Sequence, residues 1–278
     1  MFSAGLDGLF PARAREDIQQ ALRVRIGYPK PAVLDIGTGS GAWCIDMAKA
    51  FPDADFVGMD LVPVKAGSVP PSNCHFEVGN ADTDLAKMYT AESFDLIHAR
   101  SMMQGIKDFS SFFQSLWRML RPGGVLLTVD GAYTSWDEER RQIEYKEEGQ
   151  PGFSWFRKMC YHMFEVLKAR NPSADLTYCV TDCVRGVGDD AWKKVDVFDL
   201  YFPVGMFDSP TLSPSERLGG KLYTENLSRI PDSVRPMLLS SSLTPEEVDR
   251  LAAEFRAELK EPKVKQFFQF ICTWTVKK

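Results

Sequence analysis

The sequence has 278 residues, 44% hydrophobic and 26% charged, with a formal net charge of −5. These values are ordinary for a globular protein able to bury a sizeable core. The acidic balance argues against a nucleic-acid binder that tracks phosphates, and no apolar run of about 18 residues marks a membrane span. The N-terminal stretch MFSAGLDGLFPARARED lacks a basic start followed by an apolar block, so no secretory signal is expected. The six cysteines are then expected as reduced thiols in a cytoplasmic or nuclear compartment.

In chain order, Ala14 to Arg25 has helical spacing, with Ile18, Leu22 and Ile26 on one face, and Tyr28-Pro29-Lys30-Pro31 ends it. Ala32 to Ile36 reads as a buried strand, followed by the glycine-rich turn Gly37-Thr38-Gly39-Ser40-Gly41 and a helix from Ala42 to Phe51. Further strands are expected at Asp55 to Asp60, Cys74 to Val78, Phe94 to His98 and Val125 to Val129. An amphipathic helix from Phe109 to Leu120 closes on an Arg121-Pro122-Gly123-Gly124 turn before the last of these. Apolar strands alternating with helices mean a doubly wound α/β fold, a parallel sheet covered on both faces.

After Gly131 the pattern changes. Glu138 to Glu148 reads as a solvated helix and Phe153 to Arg170 as an aromatic-rich one. Val195 to Phe202 alternates like a strand. Leu212 to Leu239 is mixed, and Thr244-Pro245 starts a helix that runs to about Lys260. Val264 to Val276 reads as helix passing into strand.

The main chemical constellation is Asp35-Ile-Gly37-Thr38-Gly39-Ser-Gly41. Glycines there let a ligand approach the backbone, and the turn is expected to leave amide N–H groups free for an anion. Asp60 closes the next strand, where a carboxylate can accept both hydroxyls of a ribose. A nucleoside-containing ligand follows. Gly37-x-Gly39-x-x-Ala42 also fits a dinucleotide. The acid at Asp35 instead favours S-adenosylmethionine, which carries an ammonium and a sulfonium but no pyrophosphate.

The stretches LDIGTGSGAWCIDMAKAFPDADFVGMDL, PPSNCHFEV, FDLIHARSMMQGIKDF and LRPGG, with LYFPVG and LTPEEVDRLAAEFRAEL downstream, carry a resemblance. They resemble class I S-adenosylmethionine-dependent methyltransferases, and more narrowly the fungal LaeA-like methyltransferases of secondary metabolism. That resemblance implies a Rossmann-like, doubly wound seven-stranded sheet with an antiparallel last strand and a mostly helical lid insertion after strand five. The expected division is a helical lead-in over 1–31, a cofactor-binding core over 32–131, the lid over 132–194, and C-terminal strands and helix over 195–278. It implies that Asp35, Gly37 and Gly39 line the methionine end, with Thr38 and Gly41 also binding the cofactor. Asp60 would hold the ribose and Leu61 the adenine. In Gly79-Asn80-Ala81-Asp82, Asn80 stands where relatives place an acid for the adenine amino group, and Asp82 lies two residues on. His98 and Arg100 would face the sulfonium and the acceptor.

Methyl transfer needs the nucleophile and methyl held in line with water excluded. His98 is the candidate general base, against a reading as a packed histidine or a cofactor-side donor. Arg100 is a candidate for a substrate carboxylate, against a simple ion pair. Met102, Met103, Trp155, Tyr161 and His162 are candidate acceptor contacts, suited to an aromatic or carboxylic natural product. Tyr161 and His162 are neighbours on one helix and cannot both line one narrow wall. Cys160-x-His162 with Cys179 and Cys183 has four zinc-type donors, but the first spacing is too short for a structural site, so no metal is expected. The expected function is methylation of a small molecule at oxygen, with S-adenosylhomocysteine as product. The rivals are a regulatory protein of this fold in a nuclear complex and an NAD(P)-dependent oxidoreductase.

Overall fold

The computed structural model describes residues 6, 8–170, 179–188, 190–207, 209–210 and 212–278, without the Cys179 side chain. In chain order the elements are α1 (Arg15–Ala21), β1 (Ala32–Ile36), α2 (Ala42–Ala50), β2 (Asp55–Asp60), β3 (Cys74–Val78), α3 (Leu85–Met88), β4 (Phe94–Arg100), α4 (Phe109–Met119) and β5 (Leu120–Trp136). They continue with β6 (Gln142–Ile143), α5 (Trp155–Arg170), α6 (Cys179–Arg185), β7 (Trp192–Pro203), α7 (Pro214–Leu227), α8 (Ile230–Leu238), α9 (Pro245–Lys260) and β8 (Phe267–Lys277). The chain forms two compact units. A core unit comprises Leu9–Asp130, Tyr178–Phe198 and Ile271–Lys278, and an aromatic unit comprises Met1–Gly8, Gly131–Thr177 and Asp199–Phe270.

The strand order is β3-β2-β1-β4-β5-β8-β7, with β6 paired to β5 off this path. β3, β2, β1, β4 and β5 are mutually parallel where they pair. In the core unit Lys277 Nζ donates to Leu120 O at 2.7 Å, while Thr128 Oγ1 donates to Thr273 O at 3.3 Å. Numbering therefore falls along β8 as it rises along β5, and β8 is the antiparallel strand. This is the Rossmann-like sheet the resemblance implies. Val33, Leu34, Ile36, Leu96 and Ile97 on the two central strands are completely buried, as a sheet covered on both faces requires.

Several local expectations are corrected. α1 stops at Ala21, and Ile26 is fully exposed beyond it rather than on the buried face with Ile18 and Leu22. Arg121-Pro122-Gly123-Gly124 is not a break before a strand. It is a bulge inside β5, where the pairing shifts from Phe94–Leu120 to Leu96–Val125. Glu138 to Glu148 forms no helix. Asp137 accepts the N–H groups of Glu139 and Arg141 at 2.9 and 2.8 Å, and Arg140 takes φ +61°, so a turn leads into the short strand β6. A side chain that captures nearby backbone N–H groups competes with helix formation. Leu212 to Leu239 resolves into α7 and α8, and the C-terminal stretch is strand from Phe267 without a preceding helix.

The aromatic unit is held by ring packing. Phe156 on α5 stacks on Phe255 of α9 at 5.8 Å, and Phe268 meets Phe270 edge-on at 5.0 Å and Tyr223 at 5.9 Å. α9 begins as expected, with a capping box between Thr244 and Glu247.

Candidate functional site

The turn after β1 is left-handed at three glycines, and Gly39, at φ +59°, faces open space on the side where a side chain would stand. Three of its amides are committed. Thr38 N–H donates to Met59 O at 3.0 Å, Gly39 N–H to Asp60 Oδ2 at 2.7 Å, and Gly41 N–H to Thr38 O at 3.0 Å. The expectation of free amides fails at these three positions, where the turn closes on itself and on the Asp60 carboxylate. Beside Asp60, Leu61 and Val62 are 66% and 61% exposed, an apolar edge next to an acidic one.

Asp35 and His98 sit behind this turn, on β1 and β4, opposite each other in register. Asp35 is buried, and its oxygens take Thr38 Oγ1 at 2.5 Å and His98 Nδ1 at 2.7 Å. Trp43 from α2 stacks on the His98 ring at 3.8 Å, with its own Nε1–H donated to Leu9 O at 2.7 Å. Burial holds His98 below the ordinary histidine range, although Asp35 opposes that shift. A neutral ring beside a carboxylate places its proton on Nδ1. Burial also lowers Arg100 at the tip of β4, with Asp35 again opposing.

Past that tip, Asp130 at the core-unit end of β5 accepts the N–H groups of Met102 and Met103 at 3.2 and 3.4 Å. Burial pushes its carboxyl up to about 7, against those two donors. Met102 and Met103 border a small apolar pocket with it, and the Met102 sulfur lies against Gly37. Neither Asp130 nor Trp43 stood out in the sequence. The position of Asp130, at the carboxyl end of a central parallel strand, was the available signal. Nearby, Asn80 Oδ1 takes the Asp82 N–H at 2.9 Å, and Asp82 Oδ1 takes the Lys107 N–H at 2.9 Å. Ala81 lies between them, half-buried.

The aromatic unit separates the other candidates. Tyr161 borders a cavity of about 240 Å³ and stacks on Tyr145 at 4.5 Å. His162 packs edge-on against Tyr161, and Trp155 lies between Phe153 and the Lys158 and Arg250 cations; neither borders that cavity. Among the described residues, no group of three or more His, Cys, Asp or Glu is placed to hold a metal ion. The Cys179 side chain lies outside the described residues.

Residues 10–165 match the family described as a methyltransferase domain, more than half of the chain. The chain belongs to this methyltransferase family. It is 28% identical to the secondary metabolism regulator laeA of Coprinopsis cinerea, over 88% of this chain and 59% of that protein. It thus spans about three-fifths of that relative's length. It is also 28% identical to the methyltransferase pytC of Aspergillus terreus, over 86% of this chain and 69% of that one. In fold it resembles phosphoethanolamine N-methyltransferase 2 of Haemonchus contortus in complex with S-adenosyl-L-methionine. That likeness has a TM-score of 0.51 at 15% identity, over 99% of this chain and 56% of that one.

S-adenosylmethionine is the cofactor of this fold family, which sets aside the dinucleotide reading of the methyltransferase's glycine turn. The residues present fit it. Spent amides at Thr38, Gly39 and Gly41, with the Asp60 carboxylate beside them, disfavour a pyrophosphate and suit a ligand without one. The exposed apolar edge at Leu61 and Val62 suits a purine. No helix of the described residues is long and apolar enough to cross a membrane.

Proposed function

We propose that this chain methylates an oxygen of a small-molecule acceptor in secondary metabolism, working in the cytoplasm. The observation that carries the reading is the turn from Gly37 to Gly41 closed onto the Asp60 carboxylate, an acidic seat that is open at Gly39, rather than a phosphate cradle. Asp60 takes the ribose hydroxyls and Leu61 covers the adenine. Asp82 takes the adenine amino group through Oδ2, because the Asn80 oxygen already holds the Asp82 N–H. Gly39 leaves room for the methionine end, beside the Met102 sulfur that lies against Gly37. Asp35 stands one layer back, fixing the turn through Thr38 and the strand through His98.

S-adenosylmethionine, when bound, supplies a methyl carbon activated by positive sulfur. The protein's part is to orient the acceptor and exclude water. His98 is a positioning residue: its ring is sealed between Trp43 and Asp35 with its Nδ1 proton committed. Such a site suits an acceptor oxygen that needs no deprotonation, as in a carboxylate. Asp130 holds the Met102–Met103 loop.

Asp60→Ala should weaken S-adenosylmethionine binding by about 1–3 kcal/mol in calorimetry, the scale of hydrogen bonds to a charged group. Unchanged affinity in the folded variant would remove Asp60 from the site. In a thermal-shift series, S-adenosylmethionine and S-adenosylhomocysteine should stabilise the protein and NAD(P) should not. Stabilisation by NAD(P) alone would end this reading. A second reading, a regulator acting in a nuclear complex, is favoured by the match to laeA of Coprinopsis cinerea. Copurifying partner proteins with no turnover of small acceptors would select it.

A further inference from the structure

The aromatic unit contains a guanidinium without a carboxylate. Arg157 on α5 is 9% exposed, yet it borders the cavity of about 240 Å³. Its Nη1–H goes to the backbone oxygen of Glu144, and the Glu144 carboxylate turns instead to Lys146 at 3.0 Å. Among the described residues no acid lies within ion-pair distance of Arg157. A buried charge without its partner is costly, so such groups are normally paired. The neighbouring Cys160 thiol does not supply that charge, since burial pushes it up to about 12.

The same cavity has a further feature that points to a ligand. Tyr145 and Tyr161 stack face to face with an interplanar angle of 16° and both border it, so the stacked pair forms an aromatic side of the cavity. At a liquid-water share of about 30 Å³ each, the space holds roughly eight waters, enough for a single ring with a small substituent. Cation and aromatic side are the complement of one chemical class.

We propose that this cavity is a binding site for a planar carboxylate, an aromatic or conjugated acid, with its anion on Arg157 and its ring against the Tyr145–Tyr161 pair. Burial lowers the Arg157 guanidinium from its ordinary range, as expected for a cation awaiting its counter-ion. Binding of this acid does not rest on the methyltransferase reading above.

Calorimetry and ligand-detected NMR with benzoate and its neutral isostere benzamide separate the two. Benzoate should bind about ten- to a hundredfold more tightly than benzamide, the range for hydrogen bonds to a charged group. Arg157→Gln should reduce benzoate to the benzamide level while leaving benzamide unchanged, a pattern that general loss of packing does not produce. Because Arg157 also holds Glu144 O, Tyr161→Ala serves as a second variant. Tyr161 is 41% exposed, so the variant should fold, and both probes should weaken about three- to tenfold with loss of the stacking wall. Equal binding of the two probes, no binding at millimolar concentration, or wild-type benzoate affinity in both variants would overturn the site. S-adenosylmethionine titrated into the same samples reports on the methyltransferase reading independently. Cofactor binding without benzoate binding rejects the cavity alone, and benzoate binding without cofactor binding rejects that reading alone.

Discussion

The two units bury different kinds of surface. In the core unit the central strands are aliphatic and buried on both faces, and polar groups gather at their carboxyl ends. In the aromatic unit the core is a set of rings at 5.0 to 5.9 Å, and polar groups sit around a side cavity. The first arrangement follows from strand order, because parallel strands bring their carboxyl ends to one edge. The second follows from side-chain packing, which permits many solutions for one composition.

Three substitutions can break or sharpen this contrast. Phe255 is 1% exposed and stacks on Phe156, so Phe255→Ala should cost about 3–5 kcal/mol in urea unfolding. S-adenosylmethionine affinity of the folded variant should stay unchanged. An equal loss of both would show that the ring cluster and the cofactor site are not separable.

Asp130 probes the core unit through pH. Its carboxyl is raised from 3.8 to about 7 by burial, so the folded protein keeps a proton that the unfolded chain has released. Between those values the folded state binds more protons, and stability falls as pH rises, by up to about 1.4 kcal/mol per pH unit for one proton. Asp130→Asn should flatten that slope in a pH series of unfolding curves. An unchanged slope would show that another group carries it.

The smallest effect expected is at the α9 cap. Thr244→Ala removes the acceptor for the Glu247 N–H and should cost about 1 kcal/mol, read as a lower urea midpoint at constant slope.

The five parallel strands, the glycine turn, the Asp60 tip and the α9 start were legible because each rests on a local pattern. An apolar run marks a buried strand, successive glycines mark a left-handed turn, and Thr-Pro-Glu-Glu marks a helix cap. The Glu138 to Glu148 segment misled because charge alone resembles a solvated helix, while the Asp137 side chain had already captured the backbone. The Arg121 to Gly124 turn misled because proline and glycine also serve inside a bulge, once a neighbouring strand keeps pairing on either side.

Residue order alone established the five parallel strands, the glycine turn after the first of them and the family to which the chain is similar, since those depend on local spacing and on short apolar runs. Folding in three dimensions decided that the Thr38, Gly39 and Gly41 amides are spent, that His98 is sealed against Trp43 and Asp35, and that Arg157 borders a cavity without an ion-pair partner among the described residues. Each of these depends on which distant side chains come within about 3–4 Å, a distance at which hydrogen bonds and burial costs act and which no local pattern encodes.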